Sequence, residues 1–160
     1  MRIVVKVGTS TLAHATGRMN IRHVEELVKV LSDLKNAGHQ IILVSSGAIG
    51  IGTKKLRLGK RPTELRMKQA AAAVGQCRMM HIYDKLFAEY NRTVAQILLT
   101  GEDVESPVRS EHLHNTFESL LELGVIPVVN ENDSVSSAEI ETGKCKVLGD
   151  NDTLSAMVAR

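Results

Sequence analysis

The sequence predicts an α/β fold, a three-layer sandwich with a mainly parallel central sheet. Three observations predict it. Four short apolar runs, Arg2–Val7, Gln40–Val44, Val94–Leu99 and Val125–Val129, are nearly continuous, as strands buried on both faces are. Helical stretches separate each run from the next. The first strand, helix and second strand fit within residues 2–44, one βαβ unit of right-handed crossover.

Taken in order, Arg2–Val7 runs into Gly8-Thr9-Ser10-Thr11, which reads as a tight polar turn. Asn20 then caps a helix. Ile21, Val24, Leu27, Val28, Leu31 and Leu34 keep helical spacing on one face, and Gly38 stops it. The Gln40–Val44 strand ends in Ser45-Ser46-Gly47-Ala48-Ile49-Gly50-Ile51-Gly52, where the glycines would let the backbone approach a ligand closely. Lys54–Arg61 carries five basic residues and reads as a solvated loop. Thr63 is expected to cap a long helix reaching about Tyr90. Its centre, Ala70 to Gln76, is rich in small residues and permits close packing. After the Val94–Leu99 strand, Thr100–Ser110 reads as a polar loop, Glu111–Leu123 as a helix ended by Gly124, and Val125–Val129 as the last strand. Asn151–Arg160 has the start of a helical pattern, with Leu154, Met157 and Val158 apolar. A domain seldom ends there, so the chain reads as a portion of a longer protein.

A length of 160 residues suffices for one sizeable core. A net charge of +2 gives no strong field for nucleic acid or membrane, and 2% aromatics with no Trp leaves little for stacking bases. No run approaches the ~20 apolar residues of a membrane span. The N-terminal apolar stretch is too short for a signal sequence and is interrupted by Lys6, so a cytoplasmic location is the default. Cys77 and Cys145 form no metal or disulfide pattern, and His112 and His114 fall on different faces of a helix; no metal site is expected.

The chemistry-bearing residues lie where strands end. In open parallel sheets, ligands bind at the carboxyl ends of strands. Lys6-Val7-Gly8-Thr9-Ser10 follows the first strand, Ser45-Ser46-Gly47-Ala48 the second, and Asn130-Glu131-Asn132-Asp133 the last. Gly149-Asp150-Asn151-Asp152 comes shortly after. Lys6 could place a point charge on a phosphate, or simply snorkel at the end of the sheet. Gly8 and Gly47 could offer backbone N–H groups to an anion, reinforced by helices starting after them. The acidic clusters suit a small cationic group or a metal; the plainer reading of each is a polar turn with a helix N-cap. There is no Walker A loop, since Gly143-Lys144 is followed by Cys145, and no G-x-G-x-x-G turn follows the first strand.

Lys6-Val7-Gly8-Thr9-Ser10, Ser46-Gly47-Ala48-Ile49, Ala73-Val74-Gly75-Gln76, Leu98-Leu99-Thr100, Val128-Val129-Asn130-Glu131-Asn132-Asp133 and Gly149 through Ala156 together resemble the glutamate 5-kinases (γ-glutamyl kinases) of the amino-acid kinase family. The resemblance covers essentially the whole chain. It implies ATP-dependent phosphorylation of L-glutamate to glutamyl 5-phosphate, the first step of proline synthesis, with Mg2+ carried by the nucleotide. It implies that Lys6, Gly8, Thr9, Ser10 and Gly47 contact ATP phosphates and that Ser46, Asp133, Asp150 and Asn151 hold glutamate. Lys6 and Asp152 would be catalytic. It further implies a homo-oligomer inhibited by proline, and a nucleotide-binding half with a second catalytic lysine beyond Arg160. Thr142–Lys146 looks like an insertion relative to the family pattern. The alternatives are a non-catalytic glutamate- or proline-binding or assembly module, and another amino-acid or carbamate kinase of the same fold.

Overall fold

β1 (Arg2–Val7) lies beside β2 (Gln40–Ser45), β2 beside β4 (Ile126–Glu131), and β4 beside β3 (Val94–Leu99), all parallel. The structure, a computed structural model, describes residues 1–136 other than Ala15 and Gly17. The register sets Lys6 beside Val44 and Val7 beside Ser45, and Val44 beside Val129, which in turn pairs with Ile97. All four carboxyl ends therefore reach the same edge.

Helices cover both faces. On one lie α2 (Ile21–Asn36) and α4 (Leu65–Ala88), with α3 (Ala48–Lys55) packed on α4. Their core joins Val24, Val28 and Leu31 of α2 and Met79, Ile82, Tyr83 and Phe87 of α4 to Ile41, Leu43, Ile126 and Val128 of the sheet. On the other face α6 (Pro107–Glu122), preceded by the short α5 (Gly101–Glu105), brings Leu121 and the partly buried Phe117 onto Ile42, Val44, Ile97, Leu99 and Val129. Burying each large aliphatic or aromatic side chain is worth roughly 1.5–3 kcal/mol, so these two clusters drive the sandwich together. Arg2 grips Glu118 with both guanidinium NH2 groups, at 2.8 and 2.9 Å, and ties the start of β1 to α6. Among the described residues no helix is long and apolar enough to cross a membrane.

Several local expectations give way. Among the described residues β1 is an edge strand, and most of it is only partly buried. Gly8-Thr9-Ser10-Thr11 is not merely a turn: Gly8 is the N-cap of a one-turn helix, α1 (Thr9–Leu12), whose Leu12 is buried. Asn20 does cap α2, accepting from the His23 N–H, but Thr63 does not cap α4, which starts after Glu64. Thr100–Ser110 is not a loop. It holds α5 and the first turn of α6, set by Ser106 at the N-cap and Pro107 just inside. Nor do Gly50 and Gly52 belong to an open loop; both lie within α3, and Gly52 packs against α4.

Candidate functional site

The chain leaves β2 toward the α3–α4 face and leaves β3 toward the α6 face. β4 lies between them, so a crevice opens above its carboxyl end. The topology thus gathers the loops after β1, β2 and β4 at one place.

The first two loops are laced together. Gly47 adopts φ +100°, a left-handed conformation open to glycine, and a Cβ there would stand 3.2 Å from both the methyl and the hydroxyl of Thr9. Ser46 donates its hydroxyl proton to the carbonyl oxygen of Val7 at 3.1 Å. With that proton committed, Ser46 presents lone pairs to a ligand, which suit an ammonium better than a carboxylate. Gly47 is also the N-cap of α3. No side chain caps that helix and no acidic residue occupies its first turn, so its positive end is left to solvent or a ligand. Lys6 shares with Val4 the α6 side of β1, whereas Val5 and Val7 face α2 and α4. Lys6 is an exposed residue one position below the edge, within reach of the loops along a four-carbon stem.

The end of β3 is different. Thr100 donates from both its N–H and its hydroxyl to Asp103 at 2.8 Å, and Arg109 donates to the other carboxylate oxygen at 3.0 Å. The Thr100 hydrogen bonds, with Arg109 assisting, hold the Asp103 carboxyl below its ordinary range. The start of α5 is therefore satisfied by its own carboxylate.

At the end of β4 the apolar run turns polar inside the strand. Asn130 is 3% exposed and donates its side-chain N–H to Gln76 of α4 at 3.0 Å; Gln76 donates in turn to Gln96 of β3 at 3.1 Å. The turn beyond is fixed by Asn132. Its N–H donates to the Leu99 carbonyl at 2.8 Å, and its own carbonyl accepts from Val135 and Ser136 at 3.1 and 3.0 Å. Ser136 donates to Glu131 at 2.9 Å. Asp133 is half-buried at the mouth of a cleft of about 440 Å3 between α4, the β3 edge and this turn, lined also by Ala48, Gln76, Cys77, Met80 and Leu98. Among the described residues no group of three or more His, Cys, Asp or Glu side chains is arranged to hold a metal.

The structure thus brings Ser46, Gly47 and Thr9 together and sets Gly8, Ser10 and Lys6 beside them at the end of β1. Asp133 stands at the same edge, across the first turn of α3, in a cleft that Lys6, Ser46 and Gly47 do not line. Asp150, Asn151, Asp152 and the Thr142–Lys146 segment lie outside the described residues. Sequence reasoning missed the Gln96–Gln76–Asn130 chain of carboxamides. The available signal was polarity out of place: Gln76 interrupts the small-residue centre of α4, and Asn130 ends an apolar run.

Residues 1–160 match the amino acid kinase family. The glutamate 5-kinase of Clostridium perfringens (strain 13 / Type A) is 54% identical over 158 residues, which is 99% of this chain and 58% of that protein. Glutamate 5-kinases of Listeria monocytogenes serovar 1/2a and Clostridium acetobutylicum are each 54% identical, over 99% of this chain and 57% of theirs. The chain thus spans less than three fifths of the length of these curated relatives.

Proposed function

The chain belongs to the amino acid kinase family, and from that premise we propose that it is the substrate-binding part of a glutamate 5-kinase. In the proposed reaction an oxygen of the L-glutamate γ-carboxylate attacks the γ-phosphorus of ATP. The bond from that phosphorus to the β–γ bridging oxygen breaks, ADP leaves, and glutamyl 5-phosphate forms. The magnesium ion enters with ATP and neutralises phosphate charge. The protein's part is positioning and electrostatics.

The observation that carries this reading is the pairing, at one sheet edge, of an anion-receptive loop with a carboxylate. Gly47 and the uncapped start of α3 offer backbone N–H groups, held in place by Thr9 and by the Ser46–Val7 hydrogen bond. Gly8, Thr9 and Ser10 line the adjoining turn, and Lys6 places its charge on the transferring phosphoryl group. Asp133 takes the glutamate ammonium, Ser46 meets the amino acid from across the first turn of α3, and Asp150 and Asn151 complete the amino-acid site. Asp152 orients the catalytic lysine. The nucleotide base and a second lysine fall to the C-terminal part. A cytoplasmic homo-oligomer that responds to proline belongs to the same proposal.

The test joins the chain to the C-terminal part of the C. perfringens relative, giving a protein of full family length, the joined enzyme. L-glutamate should elicit ADP release and an acyl phosphate trappable by hydroxylamine, and N-acetylglutamate should elicit neither. Activity on the acetylated compound instead would overturn the assignment of Asp133 to an ammonium. Calorimetric titration of the 160-residue chain with both compounds then shows whether the amino-acid site forms without the nucleotide half.

A further inference from the structure

We propose that Gln76 is a positioning residue that sets substrate specificity through Asn130. The inference rests on the glutamate kinase reading above and concerns the amino-acid end of that site. Gln76 sits on α4 next to Gly75, where α3 and α4 approach most closely, so its backbone is fixed relative to the start of α3. Gln76 is 7% exposed, and Asn130, three residues before Asp133, is 3% exposed. Two buried carboxamides are unfavourable unless bonded, and the cleft that Gln76 lines is flanked by Ala72, Met80 and Leu98, beside which an apolar side chain would serve as well. Stability alone does not ask for them.

What a carboxamide chain provides, and an apolar pair does not, is polarity. Asn130 donates its NH2 to Gln76, and Gln76 donates its NH2 to Gln96. An asparagine whose NH2 is committed to α4 turns its carbonyl oxygen the other way, at the carboxyl end of β4. That oxygen is an acceptor, suited to an ammonium alongside Asp133. Reversing the chain would present NH2, which repels an ammonium and suits an acylated amine. Gln76 thereby holds Asn130 in the sense that selects a free amino acid.

The experiment is steady-state kinetics of the joined enzyme carrying Gln76→Met or Gln76→Glu. Gln76→Met has nearly the same shape and no amide; the KM for L-glutamate should rise about ten-fold, with kcat and the KM for ATP changing less than about three-fold. Gln76→Glu keeps an acceptor for Asn130 in either state: ionised, it also accepts from Gln96, which turns its NH2 inward, and protonated, it donates to Gln96 as glutamine does. It should return the glutamate KM to within about three-fold of the unaltered enzyme. A glutamate KM unmoved by Gln76→Met, a rise shared equally by the KM for ATP, or a Gln76→Glu enzyme no better than Gln76→Met would each overturn the inference. Should Gln76→Met fail to fold, Gln96→Leu at the exposed end of the chain takes its place: a rise of about three-fold in glutamate KM supports the inference and no rise overturns it. An unaltered joined enzyme that phosphorylates no L-glutamate overturns the functional reading, and this inference with it. A normal unaltered enzyme beside an indifferent variant overturns this inference alone.

Discussion

Gly52 and Gly75 face each other across the contact of α3 with α4 so closely that neither has room for a Cβ atom. A Cβ on Gly52 would stand 1.7 Å from the Ala71 carbonyl oxygen, and one on Gly75 would stand 1.7 Å from that of Ala48. Both obstacles are backbone, so neither can swing aside. Since α3 begins just after Gly47, this contact fixes where the anion-receptive loop stands.

Gly52→Ala and Gly75→Ala should therefore each destabilise the fold by about 2–3 kcal/mol or more, as overpacking that only a helix shift can relieve. Gly50 supplies the control. It lies in the same helix, a Cβ there would meet nothing within 4 Å, and its φ is not left-handed. Gly50→Ala should stabilise by roughly 0.5–1 kcal/mol through helix propensity. Urea unfolding midpoints of the three variants check both signs; a Gly52→Ala protein as stable as the unaltered chain would refute the contact.

Gly47→Ala meets two obstacles of different kinds. Its φ of +100° strains any side chain, by roughly 1–2 kcal/mol, and the new Cβ crowds Thr9 at 3.2 Å. Thr9→Ala removes the crowding atoms and leaves the strain. In a double-mutant cycle, Thr9→Ala should therefore recover part of the stability lost to Gly47→Ala, and the remainder measures the backbone. Full recovery would show that the left-handed conformation is not retained.

Glu118 and Asp103 should contribute to the acid limb of stability. Hydrogen bonds from Arg2 hold the Glu118 carboxyl below its ordinary value of 4.5, and those from Thr100 hold Asp103 below 3.8. A depressed carboxyl stabilises the fold above its unfolded pKa, and the contribution is lost as pH falls through the lower folded value. Stability should therefore decline below about pH 4.5, and Glu118→Gln should flatten the first part of that decline. Denaturation midpoints at steps of about half a unit between roughly pH 6 and pH 3 check it; identical profiles for both proteins would remove Glu118 from the account.

The strands are legible because a buried parallel strand is an apolar run wherever it sits in a sheet. All four lie within about one or two residues of expectation. What escapes depends on partners distant in sequence. β1 looks the same in sequence whether central or at an edge. Gly52 looks like a loop glycine until α4 is laid against it. The Gln76–Asn130 bond joins residues 54 positions apart. The start of α5 is another matter. Its capping chemistry stands in the sequence, with Thr100 and Asp103 three apart and Ser106-Pro107 just beyond, but the polarity of the same stretch reads equally well as a loop. At the site, the residues of the first two loops are legible as a set, but the commitment of the Ser46 proton to Val7 is not.

Tyr83 should contribute to the alkaline limb. Its hydroxyl lies 2.9 Å from that of Ser45, the last residue of β2, and the side chain is wholly buried. Burial pushes the phenol up to about 12, against the opposing pull of the Ser45 hydrogen bond. The unfolded chain releases that proton near 10.0, so the neutral phenol's contribution to stability is complete below pH 10.0 and is lost as pH rises toward about 12. The other tyrosine, Tyr90, is 41% exposed, and Tyr90→Phe leaves Tyr83 as the only phenol. In that background, absorbance at about 295 nm should show no tyrosinate until unfolding begins, and the optical and unfolding transitions should coincide. Adding Tyr83→Phe should weaken the protein at neutral pH by about 1 kcal/mol, since the Ser45 hydroxyl is left with the Met79 sulfur at 3.3 Å as its partner, yet make it less sensitive to alkali. A phenol that ionises well before the fold is lost would show that Tyr83 is open to water and that the end of β2, one residue before Ser46, is not held from below.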